Sequence, residues 1–600
     1  MLPADVLLQT EPWRAHVGGT VPAVPHNSLV TDLLLENYVW KRFILDCLRR
    51  HQLPLWNPYV LAGVPFLAAG QHSALYPFSL IFYLVPLPRA YGLFTISQLL
   101  VAGLCMYYFG LTLRLSRLAA AAGGLIFAFS GFFLVSTVFP MILATAAWLP
   151  FLLAIVERVV QASCTAEALP LRLRLRAPLP WVILGSTAVG FLFLAGHVEF
   201  FYYTLLIAGA YVIYRAAGAF LSSRRWRALG IFCGALGLML ALGCAMGAVQ
   251  VIPLFETVTR NFREGSATYE QIVGWAFPPR QVLTFFIPDF FGNPTHHGYV
   301  DLYSGQWVSA WQNTLGEARN TIFWGVKNYV EAGSYLSILS LLLAVLGVAS
   351  RPRGRAWFFA GLGLFSLTLV FGLPTYRLLY ALPGIKQLHS PFRWIFAYTV
   401  CAAVLGALGV QSLVQAFREG RWPRLATSLG TASMLVGMSS AAAVAALRLW
   451  PGILLPLVQQ AVQRLALAPE TFADGRMFAS YQARNLLLFG ICAVGAGAVL
   501  LAPRLRRCGA PLHRQVWPYA LLAVLVLDPS AWLRGFTAVS DPAILQIQPA
   551  SIQYLQQQTG PFRITVYDTR DAKPLPANTN MFYGLQDVRG YDSIIPKTYA

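Results

Sequence analysis

Charged residues are scarce in this sequence, and their scarcity excludes an ordinary soluble domain. Only 11% of the 600 residues are charged, against about one quarter in a typical soluble domain. Hydrophobic residues make up 57%, and the mean hydropathy is +0.58. The alternation of apolar and polar residues that a membrane strand would show is also absent. We therefore predict an all-α protein that crosses a membrane many times.

The hydrophobic residues are concentrated in about twelve runs, each close to the roughly 20 residues that a spanning helix needs. Each run must form a helix because backbone groups in lipid have to be hydrogen-bonded within their own segment. The predicted spans are centred near Leu104, Phe127, Leu149, Ala188, Leu206, Leu240, Leu341, Leu364, Ala403, Val436, Ala493 and Leu525.

Acidic residues are fewer still, at 24 against 44 Lys and Arg, which gives a net charge of +20. In a soluble protein this excess would suggest a nucleic-acid partner. Here the arginines cluster in every second loop, which the positive-inside rule assigns to the cytoplasm. We therefore predict no nucleic-acid partner. The clusters begin at Arg114, Arg158, Arg215, Arg351, Arg418 and Arg504.

Cysteine is too rare on the predicted outer side to crosslink it. Of the eight cysteines, only Cys47 falls in an outer loop, and the others fall in spans or cytoplasmic loops. A disulfide framework of the kind that stabilises small secreted domains is thereby excluded.

The predicted topology divides the chain into alternating membrane and extracytoplasmic segments. Most carboxylates, histidines and tryptophans lie in the long outer loops, so we expect the functional site there. The predicted segments are a first extracytoplasmic loop with interfacial helices (1–89), a transmembrane block (90–255), a large extracytoplasmic loop (256–332), a second transmembrane block (333–533) and an extracytoplasmic C-terminal segment (534–600).

Both ends of the chain carry further expectations. The first predicted span runs from outside to inside, which favours another span upstream of Met1 over entry of the first segment by another route. Residues 561–568 (PFRITVYD) alternate and are rich in β-branched residues, which predicts a strand. The C-terminal segment is too short to bury its own core. We expect it to be the start of a truncated small domain that packs loosely.

The first loop is the most informative stretch. Apolar Leu33, Tyr38, Phe43 and Leu48, interspersed with basic residues such as Lys41, suit a helix on the membrane surface. Prolines and glycines then impose turns. These turns would hold the next four polar or aromatic side chains near the membrane edge, where they are candidate substrate-binding residues: Trp56, Asn57, Gln71 and His72.

Segments along nearly the whole chain resemble, in the same order, the YfhO family of bacterial membrane proteins. They are LPLWNPYVLAGVPFLAAGQHSALYP (53–77), GLIFAFSGFF (124–133), AAWLPFLL (146–153), AGHVEFFYY (195–203), FIPDFFGNP (286–294), LPGIKQLHSPFRW (382–394) and GLQDVRGYDSI (584–594). The resemblance implies a GT-C-like architecture in the plasma membrane of a bacterium. It also implies transfer of a sugar from a polyprenyl-phosphate carrier to a cell-envelope glycan, lipid or protein on the outer face.

Asp32 and Glu36 are the candidate catalytic residues. Asp32 occupies a position that resembles the acidic residue of the first outer loop in GT-C enzymes. Sugar transfer also requires a carboxylate to deprotonate the acceptor hydroxyl, and the i, i+4 spacing would place Glu36 on the same helical face. The alternative is a pair of solvated surface acids.

The carrier phosphate requires cationic or hydrogen-bond-donating groups beside the lipid. Lys386, His389 and Arg393, before the ninth predicted span, are the candidates for this role. For Arg393 the alternative is a membrane anchor whose charge reaches the headgroups.

His197 and Glu199 form an H-x-E sequence at the outer end of the fourth predicted span and are further candidate binding residues. With His72 and Asp32 they would supply ligands for a divalent metal. The alternative is that they line a polar cavity or satisfy buried backbone groups. Asp289 is either a residue of the site or part of a turn that closes a loop. His296 is interpreted as a surface residue.

Two other classes of function compete with a glycosyltransferase. A transporter or flippase of lipids or glycans would carry ionisable residues at mid-membrane and show inverted repeats, and neither is clear here. A non-catalytic membrane assembly partner would tolerate neutralisation of Asp32. The gathering of acidic residues in outer loops favours chemistry at the membrane surface.

Overall fold

The computed structural model is mostly helical. It describes residues 2–16, 25–261, 267–310, 321–349, 353–388, 390–465, 467–504, 512–537, 539–567, 574–592, 595–597 and 599. Within these ranges the regular β-structure consists of two antiparallel pairs of short strands, which are Trp56–Asn57 with Val64–Pro65 and Gly298–Val300 with Trp307–Ser309.

Eight helices of the described residues are long and apolar enough to cross a membrane. A ninth span results if Arg117–Ala128 and Gly131–Val138, which meet at a bend of 41°, count as one. The protein is therefore membrane-embedded. The eight helices are Leu87–Thr112, Pro140–Ala166, Arg172–Leu194, Val198–Leu221, Trp226–Val258, Pro391–Glu419, Arg424–Leu449 and Gly475–Arg504.

The predicted all-α class is confirmed, whereas the number of twelve spans is not. Nine predicted centres lie in the eight long helices and the bent pair. The other three, Leu341, Leu364 and Leu525, lie in apolar helices of only 10–17 residues. These are Ile338–Ala349, Gly354–Val370 and Val516–Trp532, which are shorter than the roughly 20 residues that a full crossing requires.

The chain forms two compact units that are interleaved in sequence. Unit 1 consists of Met1–Val101, Thr137–Ala267 and Thr537–Ala600. Unit 2 consists of Ala102–Ser136 and Thr268–Phe536. The division into loops and membrane blocks made from the sequence remains a prediction about topology.

Unit 1 contains a core built from the two ends of the chain. Buried residues of the first loop, such as Trp13, Leu34 and Phe66, belong to the same apolar cluster as Phe582 and Leu585 of the C-terminal segment. Trp13 stacks on Tyr583 and donates a hydrogen bond to its hydroxyl at 3.1 Å. We call this cluster the shared core. The described residues of the C-terminal segment, which are too few to bury a core alone, therefore pack into a core shared with the first loop.

The expected loose packing of the C-terminal segment is therefore wrong. Leu545, Ile552 and Leu575 are also buried in the shared core. The strand expected at residues 561–568 is reduced to one isolated bridge, in which Ile564 pairs with Asp587. A ladder needs a partner strand of matching length, and in the described residues Ile564 meets only this single partner.

The helix Val39–Arg49 forms in the stretch where a surface helix was predicted. The residues on its buried and exposed faces differ from those predicted. Lys41 is 1% exposed, whereas Leu48 is 41% exposed. Val39 and Phe43 pack into the shared core, and the ammonium group of Lys41 lies 4.5 Å from the centre of the Phe82 ring. The helix is thus anchored in protein through a buried lysine.

Unit 2 is organised by closely packed helices. Ser433 and Ser440 of Arg424–Leu449 donate hydrogen bonds to backbone carbonyls of Gly475–Arg504 at 2.7 and 2.6 Å. Asp528 accepts hydrogen bonds from the Tyr335 hydroxyl at 2.5 Å and the Ile338 backbone N–H at 3.0 Å. The carboxylate thereby satisfies an otherwise orphaned donor at the start of Ile338–Ala349.

Candidate active site in the first loop

Asp32 lies where the first loop enters its helix. The wide π-helical turn Leu33–Tyr38 follows it directly and continues into Val39–Arg49. Such turns are rare and frequently occur at functional sites. Because this turn is not a regular α-helix, the shared face expected for Asp32 and Glu36 from α-helical spacing stays a prediction.

The Asp32 carboxylate is half-buried and, among the described residues, accepts one hydrogen bond, from the Tyr591 hydroxyl at 3.4 Å. Burial raises the pKa of Asp32, and the Tyr591 hydrogen bond offsets part of this rise. A carboxylate with a raised pKa is a stronger proton acceptor than an exposed one. The local environment therefore suits a general base.

Asn578 positions Tyr591 beside this carboxylate. Its side-chain amide donates hydrogen bonds to the Leu35 carbonyl at 2.9 Å and the Tyr591 carbonyl at 2.6 Å, and its oxygen accepts from the Tyr591 N–H at 3.0 Å. One buried amide therefore joins the Asp32 turn to the C-terminal segment. Sequence reasoning missed both residues, although Tyr591 lies in the GLQDVRGYDSI segment.

A cavity of about 750 Å³ lies in the same unit, and we call it the Trp56 cavity. This volume is in the range of small-molecule sites. Three parts of the chain form its wall: the first loop, the end of Trp226–Val258 with the residues just after it, and the C-terminal segment. Its lining includes Trp56, Gly63, Glu256, Arg260 and Lys597.

The Trp56 ring packs against Gly63 on one side and is 55% exposed. A Cβ atom at Gly63 would lie 2.6 Å from the Trp56 ring, and the backbone there has φ +110°. Only glycine accepts both the close approach and this conformation without strain. An indole held in this way presents a broad apolar face, which suits the ring of a sugar or a prenyl chain.

The charged residues that line the Trp56 cavity are Glu256, Arg260 and Lys597. The Lys597 N–H donates to the Arg260 carbonyl at 2.9 Å, and the Arg260 guanidinium lies 3.4 Å from Glu256. Ile252 and Phe255, on the same helix as Glu256, are 67% and 74% exposed. The cavity thus combines cations with an apolar surface of a spanning helix, as the headgroup and tail of a lipid phosphate require.

The C-terminal segment links Asp32 to this cavity. Tyr591 contacts Asp32, and Pro596, five residues later, lines the cavity and pairs with Asn261. Five residues span at most about 18 Å. Tyr591 and the cavity wall at Pro596 are therefore at most about 18 Å apart within one unit.

His72 serves the fold of the first loop. Its Nδ1 accepts a hydrogen bond from the Ala74 N–H, which leaves Nε2 to donate to the Phe66 carbonyl, both at 3.0 Å. Burial, with a smaller contribution from Lys41, lowers the pKa of His72 to about 3. Both ring nitrogens are thus engaged in a neutral ring. Its predicted role in substrate binding has no support from this geometry.

Asn57 is likewise buried and hydrogen-bonded within its surroundings. Its side-chain oxygen accepts from the Tyr59 N–H at 3.0 Å, and its amide lies 3.8 Å from the Met581 sulfur. Of the four first-loop candidates, Trp56 lines the Trp56 cavity. Gln71 is half-buried beside Gly70.

His197 and Glu199 lie at the start of Val198–Leu221. The His197 ring accepts a hydrogen bond from the Phe200 N–H at 3.4 Å and caps the helix. Glu199 is buried and accepts a hydrogen bond from the Tyr203 hydroxyl at 2.7 Å. These contacts agree with the structural alternative for the H-x-E sequence.

Gly196 brings this helix start against the first loop. A Cβ atom at Gly196 would lie 2.1 Å from the Gly70 carbonyl, and φ is +92°. We expect Gly196→Ala to destabilise the protein by about 2–4 kcal/mol, because both the clash and the backbone strain must be relieved. Thermal unfolding in detergent would measure it. Gly209→Ala is the control because its surroundings are open, and an equal loss there would contradict this account.

The predicted phosphate-binding residues lie in unit 2. Lys386 is exposed, with its ammonium group 5.2 Å from the centre of the Tyr380 ring. Arg393 is half-buried and acts electrostatically on Glu331, whose pKa is raised mainly by burial. His389 lies outside the described residues. Their role in phosphate binding remains a prediction.

Within the described residues, no group of three or more His, Cys, Asp or Glu side chains could hold a metal ion. The metal site considered from the sequence, made of Asp32, His72, His197 and Glu199, is therefore not formed there. Comparison with known proteins shows no family model, no curated protein and no solved structure that matches this chain.

Proposed function

We propose that this protein is a membrane glycosyltransferase that moves a sugar from a polyprenyl-phosphate carrier to a cell-envelope acceptor on the extracytoplasmic face. The observation that carries the proposal is the half-buried Asp32 carboxylate with its raised pKa, in the same unit as the Trp56 cavity. A base beside a site for a lipid phosphate is the minimum that such a transfer needs.

In this mechanism Asp32 accepts the proton of the acceptor hydroxyl as that oxygen bonds to the anomeric carbon. The bond from the anomeric carbon to the carrier phosphate breaks, and the phosphate leaves with its negative charge. Arg260 and Lys597 stabilise that charge, while the prenyl tail lies along the exposed apolar side chains Ile252 and Phe255. Trp56 offers a face for the sugar ring.

The chemistry of the cavity supports this assignment over the alternatives. A transporter requires a polar path through the bilayer, whereas the cations of the Trp56 cavity lie at the end of the Trp226–Val258 helix. An assembly partner requires no carboxylate with a raised pKa. Lys386, His389 and Arg393 are proposed as a second group of basic residues for the carrier.

Glycan analysis of the cell envelope tests the proposed function. We expect one sugar modification to disappear when the gene is deleted and to return when the full-length gene is supplied in trans. The matched control is the same gene carrying Gly209→Ala, which alters an open position. Unchanged envelope glycans after deletion would reject the transferase and leave transport or assembly as the function to test next.

A further inference from the structure

Unit 2 contains a second cavity, of about 450 Å³, which we call the Arg484 cavity. The strand pair Gly298–Val300 and Trp307–Ser309 forms one side, and the helices Arg424–Leu449 and Gly475–Arg504 form the other. Most of its lining side chains are apolar or aromatic, with a few charged groups among them. This composition is typical of a ligand site.

The Arg484 guanidinium is fixed in this cavity by a buried network. Its Nη1 lies 2.9 Å from His296 Nε2. Because a guanidinium can only donate, Nε2 accepts, and His296 Nδ1 carries the proton and donates to the Tyr481 hydroxyl at 2.8 Å. Burial, reinforced by the Arg484 charge, lowers the pKa of His296 to about 3, so the ring stays neutral.

Asp289 lies behind Arg484 and completes the network. One carboxylate oxygen accepts hydrogen bonds from the Tyr329 hydroxyl at 2.6 Å and the Asn293 amide at 3.0 Å. The other oxygen lies 3.5 Å from the Arg484 guanidinium and accepts no hydrogen bond from the described residues. Asp289 is fully buried, whereas half of the Arg484 side chain is exposed and available to a ligand.

Arg448 adds a second cation to the same wall. It is exposed at the end of Arg424–Leu449, and no ion pair is formed with it by the described part of the chain. The acid that lines the cavity, Asp301, is already paired with Arg476 through two contacts of 2.9 Å. The cavity therefore attracts an anion.

Exposed apolar side chains continue from Arg484 along the helix Gly475–Arg504. Arg484, Leu487 and Ile491 stand at i, i+3 and i+7 and so share one helical face. Leu487 and Ile491 are 42% and 69% exposed, although the helix is among the most apolar of the chain. Trp307 at the cavity edge is also exposed, as is usual for tryptophan at the boundary between lipid and water.

We infer that the Arg484 cavity binds the phosphate headgroup of an anionic membrane phospholipid, with the acyl chains lying along Leu487 and Ile491. Arg448 and Arg484 contact the phosphate, and Trp307 lies against the glycerol region. Arg484 is held in place by His296 and Asp289, so the site is preorganised. This inference concerns lipid binding in unit 2 and does not depend on sugar transfer.

Native mass spectrometry of the purified full-length protein tests this site. The probes are phosphatidylglycerol and phosphatidylcholine, each added to the delipidated protein in detergent. We expect phosphatidylglycerol to bind in preference to phosphatidylcholine. Arg448→Gln should weaken that binding about ten-fold, because a charge-assisted contact to phosphate is lost. Arg464→Gln, an exposed arginine outside the cavity, is the matched control and should bind normally.

Three results would overturn the inference. They are equal binding of the two lipids, undiminished phosphatidylglycerol binding by Arg448→Gln, and an equal loss in Arg464→Gln. Competition by inorganic phosphate separates the two sources of the anion. If free phosphate displaces the lipid at similar concentration, the acyl chains contribute nothing and the site is one for a soluble phosphate. Leu487→Asn, which leaves both arginines intact, should lower lipid affinity without changing the phosphate effect.

Discussion

Asp32→Asn is expected to reduce sugar transfer by about 10²–10⁴-fold, the usual contribution of a positioned general base. Asparagine has nearly the same shape, and its oxygen still accepts the hydrogen bond from Tyr591, so the turn should fold normally. The measurement is restoration of the envelope sugar in the deletion strain, with membrane insertion checked by immunoblot. Asp46→Asn, which neutralises a partly exposed carboxylate on the following helix Val39–Arg49, is the matched control and should restore the envelope sugar.

The same site has a pH dependence whose direction follows from burial. Because the pKa of Asp32 is raised above its ordinary 3.8, activity should rise with pH as the carboxyl loses its proton, with a midpoint above that value. Tyr591→Phe removes a hydrogen bond that lowers this pKa, so the midpoint should move to still higher pH. Wild-type activity in a well-inserted Asp32→Asn variant would remove Asp32 from the mechanism.

Lys41→Met is expected to stabilise the protein at pH 7. Burial lowers the pKa of Lys41 from 10.5 to about 7, which corresponds to a cost of about 4 kcal/mol at neutral pH. The variant also loses the hydrogen bond from Lys41 to the His72 carbonyl, at a cost of about 1–3 kcal/mol. The expected net gain is therefore about 2 kcal/mol, measured as a higher unfolding temperature in detergent.

The pH profile identifies the cause of this gain. Between pH 7 and 10.5 the unfolded chain binds more protons at Lys41 than the folded one, so wild-type stability rises with pH over this range. Lys41→Met lacks that rise, and its advantage should shrink as the pH approaches 10. Arg49→Met, an exposed position on the same helix, is the control and should change stability little. A variant less stable than wild type at pH 7 would show that the ammonium group is stabilising.

The hydrophobic runs were sufficient to locate the membrane helices. A segment enters lipid according to its own apolar length, because its backbone hydrogen bonds are formed within the segment. All twelve predicted centres lie in apolar helices, including the bent pair near Phe127. Length was harder to predict. Ile338–Ala349 begins where Asp528 caps it, and this contact joins residues 190 positions apart. A sequence pattern carries no signal for such a distant cap.

The sequence analysis placed a candidate site in the first loop, and this placement stays a prediction. Asp32 was singled out because its position resembles that of the acidic residue in the first outer loop of GT-C enzymes. Trp56 was singled out because the surrounding prolines and glycines predict turns that hold it at the membrane edge. His72 was predicted to bind substrate because the sequence does not show its hydrogen-bond partners. The Phe66 carbonyl becomes a partner of His72 only when Phe66–Ala69 folds into a short helix. Arg260 and Lys597 were missed because only the folded chain brings them together.

The walls of the Trp56 cavity are synthesised at different times. Its wall at Arg260 is translated long before its wall at Lys597, with more than three hundred residues between them. At about 5–20 residues per second, the ribosome needs roughly 20–70 s to cover that interval. During this time the Trp226–Val258 helix can enter the bilayer while the cavity lacks one side. The cavity is complete only when the C-terminal segment, which supplies Pro596 and Lys597, has been translated and packs against the first loop.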